Sequence, residues 1–357
     1  MNSKFWQGRR VFVTGHTGFK GSWLCLWLQS VGAEVHGYAT VSPTTPNLFS
    51  VAAVEGGLAS HTIGDVRDAA TLANALRRAA PEVVLHLAAQ PLVRRSYADP
   101  VETYSVNVMG TVHLLEAVRG CDSVRAVVNV TTDKCYENRE WIWGYREIES
   151  LGGRDPYSSS KACSELVTAA YRASFLETAK VSLASARAGN VIGGGDWADD
   201  RLLPDFFRAV DSGRRVEIRF PEATRPWQHV LEPLAGYLRL AELLFTDGQR
   251  FASAWNFGPP EEGARSVRWI LDYLSARLPG AAWDQLPGTQ LHEAGMLRLD
   301  SSRAAKELSW LPRWSLSRAL DATVEWHQAW RERRDMRTVS LRQIADYQTN
   351  TGLRGQE

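Results

Sequence analysis

Arg10-Val11-Phe12-Val13-Thr14-Gly15-His16-Thr17-Gly18-Phe19-Lys20-Gly21-Ser22-Trp23-Leu24-Cys25-Leu26-Trp27-Leu28 reads as an apolar strand, a turn with three glycines and a helix. Gly32-Ala33-Glu34-Val35-His36-Gly37-Tyr38 adds the next turn and a second strand. Strand, glycine turn, helix and strand within about 30 residues form the opening βαβ unit of a doubly wound parallel sheet that binds a dinucleotide. The glycines permit a tight turn and a close approach of backbone to pyrophosphate. The helix N-terminus beyond them offers free N–H groups and a favourable dipole to the anion. Gly15, Thr17, Gly18, Phe19, Lys20 and Gly21 are therefore the expected cradle.

The alternation continues. Thr62-Ile63-Gly64-Asp65-Val66-Arg67-Asp68 and Val83-Val84-Leu85-His86-Leu87-Ala88-Ala89 are short apolar strands ending in polar or small residues, with helical patterns at 69–80 and 100–119. The fold class is thus α/β, a Rossmann-type doubly wound parallel sheet. Ligands bind such sheets at the C-terminal strand ends. That puts Asp65, Val66, Leu87, Ala88 and Ala89 beside the cofactor. Asp65 either accepts from an adenine amino group or caps its own turn. The second strand ends His36-Gly37-Tyr38-Ala39-Thr40, with neither an acid for ribose hydroxyls nor a nearby Arg or Lys for a 2′-phosphate. NAD, loosely held, is the expected cofactor. Residues 91–100 read as a loop, whose Arg94 and Arg95 are solvated or reach a phosphate.

A second chemical stretch lies mid-chain. The strand Val127-Val128-Asn129-Val130 runs into Thr131-Thr132-Asp133-Lys134. After a Trp- and Glu-rich insert comes Tyr157-Ser158-Ser159-Ser160-Lys161. If Pro156 starts a helix, Tyr157 and Lys161 share one face. An ammonium beside a phenol lowers the phenol pKa from ~10 toward neutrality. A phenolate near a nicotinamide takes the proton of a substrate hydroxyl while hydride leaves the carbon. Thr132 is placed to bond the same hydroxyl. A Lys beside an ionised Asp stays protonated, so Lys134 acts as a base only if Asp133 holds a proton or burial depresses the amine.

Beyond Lys161 the expectations are a helix at 162–175, a strand at 181–187, a glycine-rich loop at 188–197 and a helix at 202–212. A strand at 216–219 and a loop at 224–230 follow, then helices at 233–244, 267–278, 302–307 and 316–331. The regular alternation weakens near Arg187. The expected division is a nucleotide-binding domain at 1–187 and a smaller mixed α/β substrate lobe at 188–357, with the chain free to cross back. The polar tail, 334–357, is expected to be partly ordered at best.

Composition bounds the rest. The 357 residues exceed what one core normally spans, so two lobes are expected. A net charge of +1 gives no general nucleic-acid or membrane surface. Cys25, Cys121, Cys135 and Cys163 lack metal or disulfide spacing and read as reduced thiols, so no metal is expected. The N-terminus lacks a signal-peptide core, and no apolar run reaches the ~18 residues of a membrane span. The cytoplasm is the expected location.

Gly15, Gly18 and Gly21 with Thr132, Tyr157 and Lys161 resemble the extended short-chain dehydrogenase/reductase family. The closing run Leu299-Asp300-Ser301-Ser302-Arg303-Ala304-Ala305-Lys306-Glu307-Leu308, then Trp310-Leu311-Pro312, resembles its nucleotide-sugar-modifying members. Three segments point to a subgroup: Thr132-Asp133-Lys134-Cys135-Tyr136-Glu137-Asn138, Trp141-Ile142-Trp143-Gly144-Tyr145-Arg146-Glu147 and Arg225-Pro226-Trp227-Gln228-His229-Val230. They are similar to the CDP-glucose 4,6-dehydratases; relatives acting on other nucleotides usually have Asp-Glu at 133–134.

The resemblance implies a lyase that recycles NAD. Tyr157, Thr132 and Lys161 serve the oxidation at C4 of CDP-glucose, Lys134 takes the C5 proton, and Asp133 protonates the departing C6 hydroxyl. Asn190, Arg201, Arg219 and Arg225 are the implied sugar or diphosphate contacts, with Trp197, Trp227 and His229 packing on sugar or base. A homodimer or homotetramer built on long paired helices, in a deoxysugar route for surface polysaccharide, is the implied setting. Another nucleotide-sugar dehydratase, a 4-epimerase and a silent dinucleotide-binding regulator are the competing readings. Asp133-Lys134 argues against the epimerase, and the intact Thr132, Tyr157 and Lys161 against the regulator.

Overall fold

A computed structural model describes residues 2–260, 263–286 and 297–350. Seven strands pair in parallel: β1 (Arg10–Thr14), β2 (Glu34–Ala39), β3 (Ser60–Ile63), β4 (Val83–His86), β5 (Ala126–Val130), β6 (Ser182–Ala188) and β7 (Ala254–Phe257). Their order is β7-β6-β5-β4-β1-β2-β3. β4, β5 and β6 are buried along their whole length, as strands covered on both faces must be. Strand order reverses between β1 and β4, and there the Gly15 turn and Leu87–Ala89 emerge together. This is the crevice where open α/β sheets hold ligands.

Among the described residues, the α-helices of five or more residues are α1 (Phe19–Ser30), α2 (Ala69–Ala79), α3 (Val93–Ala98), α4 (Pro100–Tyr104), α5 (Gly110–Arg119), α6 (Pro156–Tyr171), α7 (Leu202–Asp211), α8 (Leu231–Thr246), α9 (Val267–Ser275), α10 (Leu316–Arg331) and α11 (Met336–Thr349). α1 is buried from Gly21 through Leu28, so it reads as apolar all round rather than amphipathic. α4 runs into α5 through one wide turn at Ser105–Met109.

Four expectations change. Residues expected as a loop at 91–100 contain α3, whose Arg94 pairs with Asp200 and Arg95 with Glu102 at the surface. The expected loop at 224–230 is two short strands, Thr224–Pro226 and Gln228–His229. The second of these pairs with Val191–Ile192, inside what was expected to be an irregular glycine loop. Pairing partners distant in sequence made these segments regular. The polar tail holds α11, with Met336, Val339, Ser340, Gln343, Ile344 and Tyr347 buried. Three- and four-residue spacing puts them on one face, and the polar remainder is its solvent side. Positions 351–357 of that tail lie outside the described residues.

The chain also crosses back over the expected division at residue 187. β7 pairs with β6 through Ala254 and Ser185, and buries Trp255 and Phe257 completely. α8 packs against β5 and β6. Beyond residue 187 the chain also holds a separate core, built from Ile192, Phe206, Trp227, Ile270, Leu274 and Leu320 among others.

Candidate active site

The glycine turn fits a dinucleotide. Gly15 has φ +75°, and a Cβ there would stand 2.7 Å from the Ala88 nitrogen. A Cβ on Gly21 would strike the Gly15 carbonyl oxygen. α1 begins after Gly18 with no side-chain cap, which leaves its first N–H groups for an anion. Thr14 Oγ1 accepts from the Leu87 and Ala88 N–H groups, each at 3.2 Å, and bonds His86 Nδ1 at 2.6 Å. This stitches the β1 and β4 ends together under the turn. At the β2 end, Thr17 donates to the Thr40 carbonyl at 2.9 Å, and the His16 ring fills the space beside Gly37. His16 bonds His61 at 2.7 Å; burial, then His61, brings it down to about 4, so it is neutral. Asp65 accepts three side-chain bonds from Arg67, two of 3.0 Å and one of 2.6 Å, and one from the Arg67 backbone N–H at 2.8 Å. That grip holds its carboxyl below the usual range. Val66 is buried against Gly110.

The end of β5 gathers the reactive groups. Thr132 starts a short turn at Asp133–Cys135; its hydroxyl accepts from the Lys134 N–H at 3.3 Å and donates to Asp133 Oδ1 at 3.0 Å. The Thr132 side chain also favours the ionised Tyr157 phenol. α6 opens on Pro156, with Asp155 accepting from the Ser158 N–H at 2.9 Å. α3 fixes this start, since Ser96 Oγ accepts from the Tyr157 N–H at 3.1 Å. Lys161 Nζ donates to the Val130 carbonyl at 3.3 Å, one turn along. Thr132, Asp133, Lys134, Tyr157 and Lys161 therefore meet at one strand end.

Their electrostatics differ from the expectation in one respect. Burial drives the Tyr157 phenol up to about 12, and the Thr132 hydrogen bond and Arg201 only partly offset it. The expected lowering by Lys161 is not what dominates, because that amine is turned to the Val130 carbonyl; burial brings it down to about 8. Asp133 is enclosed, and its Oδ2 has no hydrogen-bond partner among the described residues. Burial pushes its carboxyl up, with Lys134, Thr132, Arg225 and Lys20 opposing. A Cβ on Gly189 would come within 2.7 Å of that same Oδ2.

Lys20, expected among the cofactor contacts, lies with these groups. Burial, then Arg201 and Lys161, brings its amine down to about 7, while Asp133 counteracts. The amine sits 6.0 Å from the Tyr237 ring centre. Tyr237 is fully buried, its hydroxyl without a partner among the described residues, and burial, Tyr157 and Asp133 raise its phenol. Sequence reasoning missed Tyr237, since an aromatic within an apolar helix reads as filler.

The expected substrate residues divide. Arg201 is bonded to Asp196 at 2.8 Å and acts on both Tyr157 and Lys20. Arg225, half-buried on its short strand, acts on Asp133. Asn190 adjoins Gly189, and its carbonyl accepts from the Gln228 N–H at 3.1 Å. Arg219 is half-buried just past the Val216–Ile218 strand. Of the three aromatic residues, Trp227 and His229 are buried and Trp197 is half-buried against the core. Trp197 packs edge-on against Trp326 and Trp330, with ring centres 5.7 and 5.1 Å away. Trp227 is buried and donates to the Arg265 carbonyl at 3.1 Å. His229 is wholly enclosed between Trp23 and Trp314, and burial brings it down to about 3. Pro226 through Val230 are buried at every position, so Trp227 and His229 face the interior, a fact their composition did not carry.

The family profile of the GDP-mannose 4,6 dehydratases matches residues 12–242. The CDP-glucose 4,6-dehydratase of Salmonella typhimurium is 54% identical over 358 aligned positions, covering 98% of this chain and 99% of that protein. The dTDP-glucose 4,6-dehydratase of Streptomyces griseus is 30% identical, covering 90% of this chain and 96% of that protein. Among solved structures, the dTDP-glucose 4,6-dehydratase DesIV of Streptomyces venezuelae, with NAD and TYD bound, superposes with a TM-score of 0.76 at 27% identity. That match covers 92% of this chain and 99% of the other. The turn, the β5 end and these matches agree: the chain belongs to the GDP-mannose 4,6 dehydratase family of extended short-chain dehydrogenases/reductases.

Proposed function

We propose that the chain is an NAD-dependent hydro-lyase that converts CDP-D-glucose to CDP-4-dehydro-6-deoxy-D-glucose and water. The observation that carries this reading is the enclosed Asp133, raised by burial, beside Lys134 and bonded to Thr132, at the strand end that also holds Tyr157. Oxidation alone needs Thr132, Tyr157 and Lys161. An acid next to an amine adds the means to remove water. Identity of 54% to a CDP-glucose enzyme supports the nucleotide.

Gly15, Gly18, Gly21 and the α1 N-terminus hold NAD, which when bound accepts the C4 hydride and gives it back at C6. Tyr157 receives the C4 hydroxyl proton, with Thr132 bonding the same oxygen. Its phenol, high in the free protein, must be brought down by positive charge, and Lys161 lies one helical turn away to supply it. The resulting 4-keto group acidifies C5, and Lys134 takes that proton. Asp133 donates its proton to the C6 hydroxyl as the C–O bond breaks, and water leaves. The proton returns to C5, so redox balance closes within the sugar. Each acid–base role is worth about 10² to 10⁴ in rate. Lys20, Arg201 and Arg225 surround the site with positive charge that suits a diphosphate.

We also assign the face carrying exposed Val101, Tyr104, Met109, Leu166 and Phe175 to a homodimer, in which α4–α5 and α6 of two copies pair. No helix among the described residues is long and apolar enough to cross a membrane; a cytoplasmic site for the enzyme goes with its soluble nucleotide-sugar substrate.

The deciding experiment incubates the protein with CDP-glucose and NAD+ and follows the alkaline absorbance of a 4-keto sugar. Product requiring added NAD+, and far less with NADP+, is expected. Product only from another nucleotide sugar would overturn the nucleotide assignment. Equal activation by NADP+ would overturn the cofactor.

A further inference from the structure

Beneath the reactive turn lies a charged pair with no part in the chemistry above. Glu165 and Arg187 are bonded at 2.7 Å, and their side chains are 3% and 4% exposed. Burying two charges costs more than an apolar pair of the same size would, so stability alone does not explain them. Their connections do. Glu165 follows Lys161 by four residues on α6, on the same helical face. One carboxylate oxygen accepts from Thr131 Oγ1 at 2.5 Å; the other accepts from Ser185 Oγ at 2.7 Å and from Arg187. Arg187, at the end of β6, donates at 2.8 Å to the Tyr136 hydroxyl, which donates to Asn256 Oδ1 on β7 at 2.7 Å. Asn256 in turn donates to the Tyr145 carbonyl at 2.8 Å and the Asp300 carbonyl at 3.1 Å.

Thr131 and Tyr136 bracket Thr132-Asp133-Lys134. One end of the reactive turn is therefore tied to Glu165 and the other to Arg187. Glu165 rides on the helix that carries Tyr157 and Lys161. We propose that the Glu165–Arg187 pair, acting through Thr131 and Tyr136, is a clamp that positions the eliminating groups Asp133 and Lys134 against the oxidising groups Tyr157 and Lys161. Thr131, Tyr136, Glu165 and Arg187 are positioning residues. The inference rests on the hydro-lyase reading, since only a two-stage reaction needs two sets of groups held in register. Asn256 extends the clamp to the Trp-rich insert and to the segment around Asp300, so both are set by the same pair.

The test uses Tyr136→Phe and Thr131→Val, each deleting one hydroxyl with little change of shape, in the full-length protein. On rapid mixing with CDP-glucose and NAD+, reduced nicotinamide should appear at close to the parental rate. Keto product should form about 10²-fold more slowly, as misplacement of reacting groups predicts. Reduced cofactor then accumulates in the variants and not in the parent. NAD+ affinity from fluorescence titration should stay unchanged. A clamp that serves only stability would lower both rates together or neither, and either pattern in the two variants overturns the proposal. If Tyr136→Phe does not fold, Thr131→Val alone decides. A parent that neither reduces NAD+ nor makes keto product with any nucleotide sugar overturns the hydro-lyase reading itself.

Discussion

Lys134 takes a proton only in its uncharged form, and an ionised neighbour would hold that proton on. Asp133 bears on this. Its carboxyl is enclosed at 2% exposure, and burial raises it despite four opposing cations and donors. A carboxyl raised in this way is suited to supply the proton for the leaving hydroxyl. Lys134→Ala should keep NAD+ affinity, form reduced cofactor on mixing and lose about 10² to 10⁴ in keto-product rate. Turnover near the parental value would mean that C5 is deprotonated by another group, and Lys20 would be the next residue to replace.

At the scale of elements, the glycine at the end of β6 does for Asp133 what the clamp does for its turn. Gly189 has an ordinary φ, so its need is for space: a Cβ would meet Asp133 Oδ2 at 2.7 Å and Pro226 at 3.1 Å. Gly189→Ala should leave the melting temperature near that of the parent, because a carboxylate can swing aside. Product formation should fall about 10²-fold through displacement of the acid; an unchanged rate would show that Asp133 is not held there. Such elements were unequally legible in the sequence. β1, the Gly15 turn and the Tyr157–Lys161 helix declare themselves locally, through residues whose shape or chemistry has one use. β7 is four residues, Ala254–Phe257, with no periodicity to separate it from a loop. The Gln228–His229 strand exists only because Val191–Ile192 lies beside it. The same non-local pairing encloses His229, which the resemblance had set against the sugar or base.

At the scale of the whole molecule, one carboxyl joins the sheet to the C-terminal helix. Glu232 on α8 accepts from the Arg313 N–H at 3.0 Å, the Trp314 N–H at 2.7 Å and the Tyr347 hydroxyl at 2.6 Å. Tyr347 lies on α11, which lays its ring edge-on to Trp27 of α1 at 5.6 Å and ties Arg337 to Gln29 at 2.9 Å. α11 thus straps the glycine-turn helix to the rest of the fold, and Glu232 is its anchor. Burial raises this carboxyl from 4.5 to about 7, with Tyr347 and the two backbone donors opposing. A raised acid binds its proton more tightly in the folded chain than in the unfolded one. Below about 4.5 both states are protonated and the carboxyl costs nothing. Between about 4.5 and about 7 the unfolded chain alone releases its proton, so stability falls as pH rises, by a few kcal/mol at most. Glu232→Gln keeps the shape and an acceptor oxygen but cannot titrate. Its melting temperature should therefore decline less steeply with pH across that interval than the parent's, and proteolysis of α11 should lose its rise toward neutral pH. Parallel melting curves for the two proteins would place the folded-state proton elsewhere than on Glu232.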